Sequence, residues 1–482
     1  MPFLRRNEEE TIMAKTVQLD ANGYRKFGFR DKIAYAAGDF GCNMSFALKG
    51  TMTIFWTQFM GISSITMATL LLLVQVWDAV NDPLIGALVD ADHHQYKRNK
   101  FLQYIFVGSC GLLVAGSACF LPLPNLPYVV KCILFITGYI LWDAFYTIAN
   151  VPYGSMMSLI TTDAVERAQL STFRSVGSMA GNILTMVTLP MLIYDASQNL
   201  KGNFVFVIAL IMGAIGFVCF QFMIRNTTVR VEQNIQLGEE PQKFNVLKAF
   251  GHFVRNRAAV GATLAPVGQF IGMYAGVTAS TVLFQAYFKN VQISGLLSML
   301  SMMGMFVFMP FVTPVVKKFG KKEAVTAGLF LYCAAYILGL ILPITPDGKG
   351  LALWAMVQVI AALGSGIGTC VSWSLMADAM DYEEWKFGTR NEGPTYALHS
   401  FFRKLAQGIG PSLGLVLIAY LGYDESLKAA QTMETAMALR YYVPTCNLVA
   451  GLIQLVGIGL VFPLGKKQLA TMQAELAARK AK

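Results

Sequence analysis

Residues 226–257 read N-T-T-V-R-V-E-Q-N-I-Q-L-G-E-E-P-Q-K-F-N-V-L-K-A-F-G-H-F-V-R-N-R, a polar stretch set between two long blocks of apolar sequence. The stretch straddles residue 241, the midpoint of the 482-residue chain. Hydrophobic residues make up 55% of the chain and charged residues 14%, against about 25% charged in ordinary soluble domains. A water-soluble fold of this size could not hide so much apolar surface. The composition also excludes a collagen, a disordered chain and a disulfide scaffold, and leaves a helical protein embedded in lipid.

A bilayer-crossing helix needs roughly 20 apolar residues, so twelve would use about 240 to 300 residues. The apolar segments fall near 31–60, 63–90, 101–122, 128–160, 170–193 and 203–225, then 258–288, 293–316, 323–343, 351–380, 393–422 and 437–463. The reading is an all-α membrane protein with twelve transmembrane helices in two six-helix bundles. Its parts are an N-terminal segment 1–30, a first bundle 31–225, a linker 226–257, a second bundle 258–463 and a tail 464–482. Within the linker, L-K-A-F-G-H-F-V-R (247–255) has the pattern of an interfacial helix. Six spans, a linker and six spans is the layout of transporters built from two similar halves.

The net charge of +10 sets topology here and not nucleic-acid binding, because the basic residues sit in loops. With the N-terminus inside, the segments on its side hold 28 Lys and Arg, and the opposite loops hold six: Lys131, Lys201, Lys289, Lys349, Lys428 and Arg440. That split places both termini in the cytoplasm and the protein in the cell (inner or plasma) membrane. The eight cysteines include no C-x-x-C pair, so neither a metal knuckle nor a redox pair is expected. No cleavable signal peptide is expected at the polar N-terminal segment.

Ionisable groups at bilayer depth are costly and mark a path for ions or substrate. The sharpest cluster is V-W-D-A-V-N-D-P-L-I-G (76–86), where Asp78, Asn81 and Asp82 are spaced i, i+3, i+4 on one helix face. Oxygen ligands with negative charge suit a small hard cation. A like-charged pair equally suits a proton, because one carboxyl is pushed up. In the first span, G-D-F-G-C-N (38–43) carries Asp39, with Lys49 about 15 Å further along the axis. The glycines beside Asp39 allow close helix approach or sugar access. In the fourth span, L-W-D-A-F-Y-T-I-A-N-V-P-Y-G (141–154) places Asp143, Thr147 and Asn150 on one face, flanked by Trp142 and Tyr146. Carboxylate, amide and aromatic groups together suit a sugar, while Trp142 could equally be packing. Span eleven carries Arg403 and Lys404. Lys404 can partner the aspartates; Arg403 and Lys49 then point to an anionic substrate, or else to pairing with Asp143. At the cytoplasmic end of span ten, A-D-A-M-D-Y-E-E-W-K-F-G-T-R (377–390) faces T-D-A-V-E-R-A-Q (162–169). Pairing of Arg167 with Asp378 or Asp381, and of Arg390 with a carboxylate of the other half, would form a cytoplasmic gate.

W-D-A-V-N-D-P-L-I-G, Y-T-I-A-N-V-P-Y-G, E-R-A-Q and D-Y-E-E-W-K together resemble the glycoside–pentoside–hexuronide:cation symporters, the melibiose-permease-like group of the major facilitator superfamily. The likeness runs over nearly all twelve spans. It implies a major-facilitator fold with alternating access and a cation site at Asp78, Asn81, Asp82 and Thr147. It also implies sugar contacts at Asp39 and Arg174, a charge-network role for Lys404, and a cavity-lining aromatic at Trp373 in T-C-V-S-W-S. Two departures are notable: Asn150 stands where melibiose-type members have an aspartate, and Gly154 where they have a tryptophan. Both argue against a galactoside and towards a glucoside, xyloside or glucuronide. The expected substrate-binding set is Asp39, Lys49, Asp143, Tyr146, Asn150, Arg174, Trp373, Arg403 and Lys404. The expected activity is sugar symport coupled to Na+ or H+, with no cofactor, no nucleic acid, and a monomer in the lipid bilayer. A sugar sensor or a lipid transporter on the same fold is the alternative of another class. The four histidines, His93, His94, His252 and His399, form no catalytic set, so an enzyme is not expected.

Overall fold

The computed structural model describes residues 23–480 apart from 93, 95, 97, 98, 162, 231–245 and 389–391. Twelve long helical segments follow one another among the described residues. The first half holds α1 (29–59), α2 (Ser64–Ala91), α3 (Lys100–Ala118), α4 (Tyr128–Ile160), α5 (Ala164–Ile193) and α6 (Gly202–Asn226). A short linker helix, α7 (Val246–Arg255), falls where the amphipathic pattern was read. The second half holds α8 (Arg257–Ala286), α9 (Val291–Phe319), α10 (Lys321–Ile341), α11 (Gly348–Phe387), α12 (Glu392–Tyr420) and α13 (Met433–Val461). A tail helix, α14 (Lys466–Lys480), closes the chain. The protein is an all-α membrane protein with the major-facilitator fold.

Local chemistry sets the ends. Ser63 accepts from the Thr66 amide at the start of α2, and Asp347 accepts from the Gly350 amide at the start of α11. At the end of α11 Gly388 takes a left-handed φ of 70°, which glycine adopts without a Cβ clash. The helix therefore runs past the apolar segment to Phe387, further than the boundary near 380 that hydropathy suggested. The start of α5 at Ala164, ahead of the expected 170, has the same cause: a polar turn of helix extends beyond the apolar run.

Nine of the segments are long and apolar enough, among the described residues, to cross a bilayer. The other three, α1, α2 and α12, carry Asp39 and Lys49, Asp78 and Asp82, and Arg403 and Lys404; in α2 the apolar run among the described residues is Ser64–Asp78. Ionisable groups at bilayer depth are costly and are kept where they have a use.

Without a hydrophobic drive between helices in lipid, close packing must hold the bundle. Exposed Leu72, Val76, Val218, Ile341 and Leu460 face outward. In the first half α1 packs on α5 and α6, and α3 on α4 and α6; in the second, α8 packs on α12 and α13, and α10 on α11 and α13. Gly177 of α5 lies so close to α1 that a Cβ there would overlap the Ala36 carbonyl. The halves meet through α2 against α12 and α5 against α9.

The two ends of the molecule differ. The end with the chain termini is tied within each half. Asp31, at the start of α1, is buried and paired with Arg25 (2.7 Å) and Arg230 (3.1 Å), and Arg230 also donates to the Ile160 carbonyl at the end of α4. The tail helix docks through the Trp385 indole, which donates to Glu475 at 2.6 Å. The far end is tied between the halves. Gln58 of α1 donates to Gln285 of α8 and to the Tyr423 hydroxyl after α12, each at 2.9 Å. Gln285 donates to the Gln198 carbonyl at 2.7 Å, and the Ser64 amide and hydroxyl donate to Glu425. This network closes the far end.

Candidate functional site

Two helices of the first half, α2 and α4, bring oxygen and nitrogen groups together. Asn81 of α2 is fully buried. Its Nδ2 donates to Asp143 Oδ2 (2.9 Å), to the Asp143 carbonyl (3.2 Å) and to Thr147 Oγ1 (2.9 Å), both residues of α4. Three acceptors around one nitrogen fix the amide's orientation, which leaves Asn81 Oδ1 buried without a partner. One turn earlier, Gln75 Nε2 donates to Asp78 Oδ2 at 2.9 Å. The backbone of Asp82 continues α2; its side chain lies outside the described residues. Among the described residues no group of three or more His, Cys, Asp or Glu could hold a metal ion. The carboxylates, amide and hydroxyl are hard oxygen donors.

The expected sugar-facing row on α4 divides. Asp143 and Thr147 turn to Asn81, whereas Asn150 accepts from the Cys42 thiol at 3.7 Å on α1. Asp143 is thus placed with Asn81 and Thr147. The i, i+4, i+7 spacing groups all three, but an α-helical face turns between neighbours on two different helices.

A second group lies on α1, α4 and α5. Arg174 Nε donates to Asp39 Oδ1 at 2.9 Å, with the guanidinium 5.0 Å from the centre of the Tyr153 ring. Tyr153 stacks on Tyr35 (4.7 Å between centroids) and donates to the Tyr35 carbonyl at 2.7 Å. Asn43 donates to the Asp39 carbonyl and to Ser178 Oγ. The space beside Gly38 is filled by the Tyr153 ring; at that glycine, helix approach and not sugar access is the use. The Arg174 side chain remains about a third exposed, so the pair is reachable.

The third group surrounds Lys49. Its ammonium stands 5.7 Å from the Phe46 ring centre, 5.5 Å from Tyr139 and 6.0 Å from Trp142. Tyr146 stacks on Trp142 at 5.8 Å and tilts against Phe46 at 5.7 Å. Trp142 itself is 2% exposed and donates its indole N–H to Ser45 at 2.8 Å. It is packing, one of the two readings left open by the sequence. Asp78 and Tyr274 lie within electrostatic reach of Lys49, and Tyr274 of α8 is within reach of Arg403 as well. Lys404 follows Arg403 on α12; the side chain of Trp373 on α11 lies outside the described residues.

The gate residues are arranged differently from the expectation. Asp378 is held by Lys321 of its own half, at 2.7 and 2.9 Å, and Arg167 donates its Nε to the Thr161 carbonyl at 2.9 Å. An Arg167–Asp378 bridge is not the pairing this structure displays, because Lys321 stands at the first turn of the adjacent α10. Burial pushes the Asp378 carboxyl up, and the Lys321 ammonium opposes that shift. Arg390 lies outside the described residues, and Asp381 sits on the same helix end as Asp378. His399 is bonded to Thr263 at 2.9 Å, a tie between α12 and α8.

Sequence reading missed Gln75, Tyr139, and the Gln58–Gln285–Tyr423 closure. Gln75 could have been found, since it precedes Asp78 by three residues on one helix face. Gln58 and Gln285 could not, since they are 227 residues apart.

Fold and site together define a secondary transporter that works between two helical halves, and not an enzyme. Residues 34–465 match the family described as MFS/sugar transport protein, and the chain belongs to it. It is 28% identical to the uncharacterized symporter YjmB of Bacillus subtilis (strain 168), over 94% of this chain and 96% of that one. It is 27% identical to the glucuronide carrier protein homolog of Escherichia coli (strain K12), over 95% and 97% of the two chains. The fold is similar to that of a bacterial homologue of the human lysosomal transporter Spinster in its inward-facing, unoccupied conformation, with a TM-score of 0.59, 14% identity, and 92% and 96% of the chains covered.

Proposed function

We propose that the protein imports an anionic glycoside, a glucuronide or a similar uronide, together with Na+ or H+, across the plasma membrane with both termini in the cytoplasm. The observation that carries the reading is Lys49. It is a cation at bilayer depth in a wall of three aromatic rings, in the same half as the Asn81–Asp143–Thr147 cluster. Tyr139 and Trp142 are buried behind it, while the half-buried Phe46 and Tyr146 rings offer faces on which the C–H face of a sugar stacks, and the ammonium beside them meets a carboxylate. The name of the Escherichia coli relative supports the same substrate class.

The cation would bind among Asp78, Asp82, Asn81, Asp143 and Thr147, with the unpartnered Asn81 oxygen as one ligand. Asp39, Arg174 and Tyr146 would take sugar hydroxyls and ring faces, and Arg403 the far side of the anion. The far end then faces the outside and is closed. The loaded protein rocks between states about this midplane site, and sugar raises cation affinity by the factor by which the cation raises sugar affinity.

Counterflow in proteoliposomes tests the reading, with p-nitrophenyl β-glucuronide and p-nitrophenyl β-glucoside compared under a Na+ gradient and under a pH gradient. Glucuronide exchange driven by one of the gradients, and lost by at least tenfold in Lys49→Met, is the expected result. Equal exchange of the two glycosides, indifferent to Lys49→Met, would replace the anionic substrate with a neutral glucoside or xyloside. No exchange of either would return the protein to a sensor or lipid-transporter role.

A further inference from the structure

Gln75 has two neighbours that belong to different parts of the mechanism. Its Nε2 donates to Asp78 Oδ2 at 2.9 Å, inside the first half. Its aliphatic stem lies against Gly408 of α12, in the second half, so closely that a Cβ at position 408 would overlap Gln75 Cγ, Cδ and Oε1. Gly408 is buried. The contact lies inward of the tie between Ser64, at the start of α2, and Glu425, in the turn that follows α12 at the far end. Ser64 and Gln75 are eleven residues apart on α2, about 16 Å by helix rise. The seam therefore runs from the closed surface inward and ends at the hydrogen-bond donor of Asp78.

We infer that Gln75 is a positioning residue that couples cation affinity to closure of the far end; the inference rests on the cation site proposed above. While α12 is seated, the glycine backbone confines the Gln75 side chain and keeps its amide on Asp78. That amide occupies a carboxylate oxygen which the cation would otherwise take. A charge-assisted hydrogen bond is among the stronger ones, so the closed state binds the cation more weakly. When the far end opens, α12 withdraws, Gln75 is free to rotate, and both oxygens of Asp78 become available. The cation is captured with the far end open and released once that end is sealed. A residue larger than glycine at 408 could not confine Gln75 in this way without displacing it.

The test reads closure and cation affinity together. Leu71 lies one turn outward on the face of α2 that carries Gln75 and is buried. Leu71→Cys in the full chain is labelled with a membrane-impermeant maleimide while Na+ replaces choline at pH 7.5, and separately at pH 5.5 without Na+. The protein with native Leu71 supplies the blank. Labelling should rise with the coupling ion, and Asp78→Asn should abolish the response. Adding Gln75→Leu should lower the half-maximal ion concentration about tenfold. Gly408→Ala should speed labelling in the absence of the ion, and combining it with Gln75→Ala should restore the slow rate, because the smaller side chain makes room for the new Cβ. A half-maximal concentration within twofold of the parent in Gln75→Leu, or no rescue in the double variant, would overturn the coupling role while leaving the cation site standing. No response of the parent to either ion would remove the cation site and this inference with it.

Discussion

Asn81 directs one amide nitrogen at three acceptors, two of them on the same aspartate. The arrangement ties α2 to α4 and leaves a buried oxygen without a partner, so in the proposed function one side chain would serve packing and binding together. Asn81→Ala should remove both. A hydrogen bond between membrane helices contributes about 1 kcal/mol, so the protein should still fold and elute as a single species. Cation-driven uptake should fall at least tenfold, and Asn81→Asp should restore it in part by supplying oxygen ligands. Unchanged ion dependence of uptake in Asn81→Ala would show that the cation binds elsewhere. The motif made this residue visible, because spacing along one helix survives into the structure. It did not make Asp143 visible as its partner, since that contact joins residues 62 apart.

Helices in this protein are held together by close approach and by pairs at their ends. Gly177 of α5 sits against the Ala36 carbonyl of α1, and overpacking of such a contact costs about 1–3 kcal/mol. Gly177→Val should lower the melting temperature in detergent by several degrees and disturb the Asp39–Arg174 pair one turn away. The Lys321–Asp378 pair holds α10 to α11. Because burial raises the Asp378 carboxyl in the folded protein, its ionised form is the less favoured one, and stability falls as pH rises through that raised value. Lys321→Ala removes the opposing ammonium and raises the carboxyl further. The variant should match the parent in melting temperature near pH 5 and fall progressively behind it towards pH 8. The pair is partly open to solvent, so the deficit should be about 2 kcal/mol, below the ~3–5 kcal/mol of a fully buried pair that loses one partner. A deficit that does not change with pH would show that Asp378 is not left charged and unpaired. Helix extents were largely legible in hydropathy; the polar extensions of α5 and α11 were not, since helix end and membrane boundary are separate properties.

At the scale of the molecule the two halves are joined at one end by glutamine and tyrosine side chains and along the α2–α12 seam, where Gln75 lies against Gly408. Neutral amide bonds are well suited to a contact that must break in every cycle, because each contributes only about 1 kcal/mol net. Gln58→Leu removes three of them at once. It should favour the state with the far end open and speed maleimide labelling at Leu71→Cys severalfold without altering the melting temperature of either half. Labelling at the parent rate would mean that the seam alone keeps the far end shut.

The sequence by itself determined that this chain is a helical membrane protein in two halves, and it marked Asp78, Asn81 and Asp82 as a unit. Those features depend on local composition and on the 3.6-residue period, which act within one helix. Only the tertiary structure decided that Asp143 turns to Asn81, that Asn150 turns away to Cys42, that Asp378 is held by Lys321, and that Gln75 bridges Asp78 to Gly408. Each of these is a choice among neighbours brought from distant parts of the chain. It is set by how closely two helices approach, which no spacing along one of them encodes.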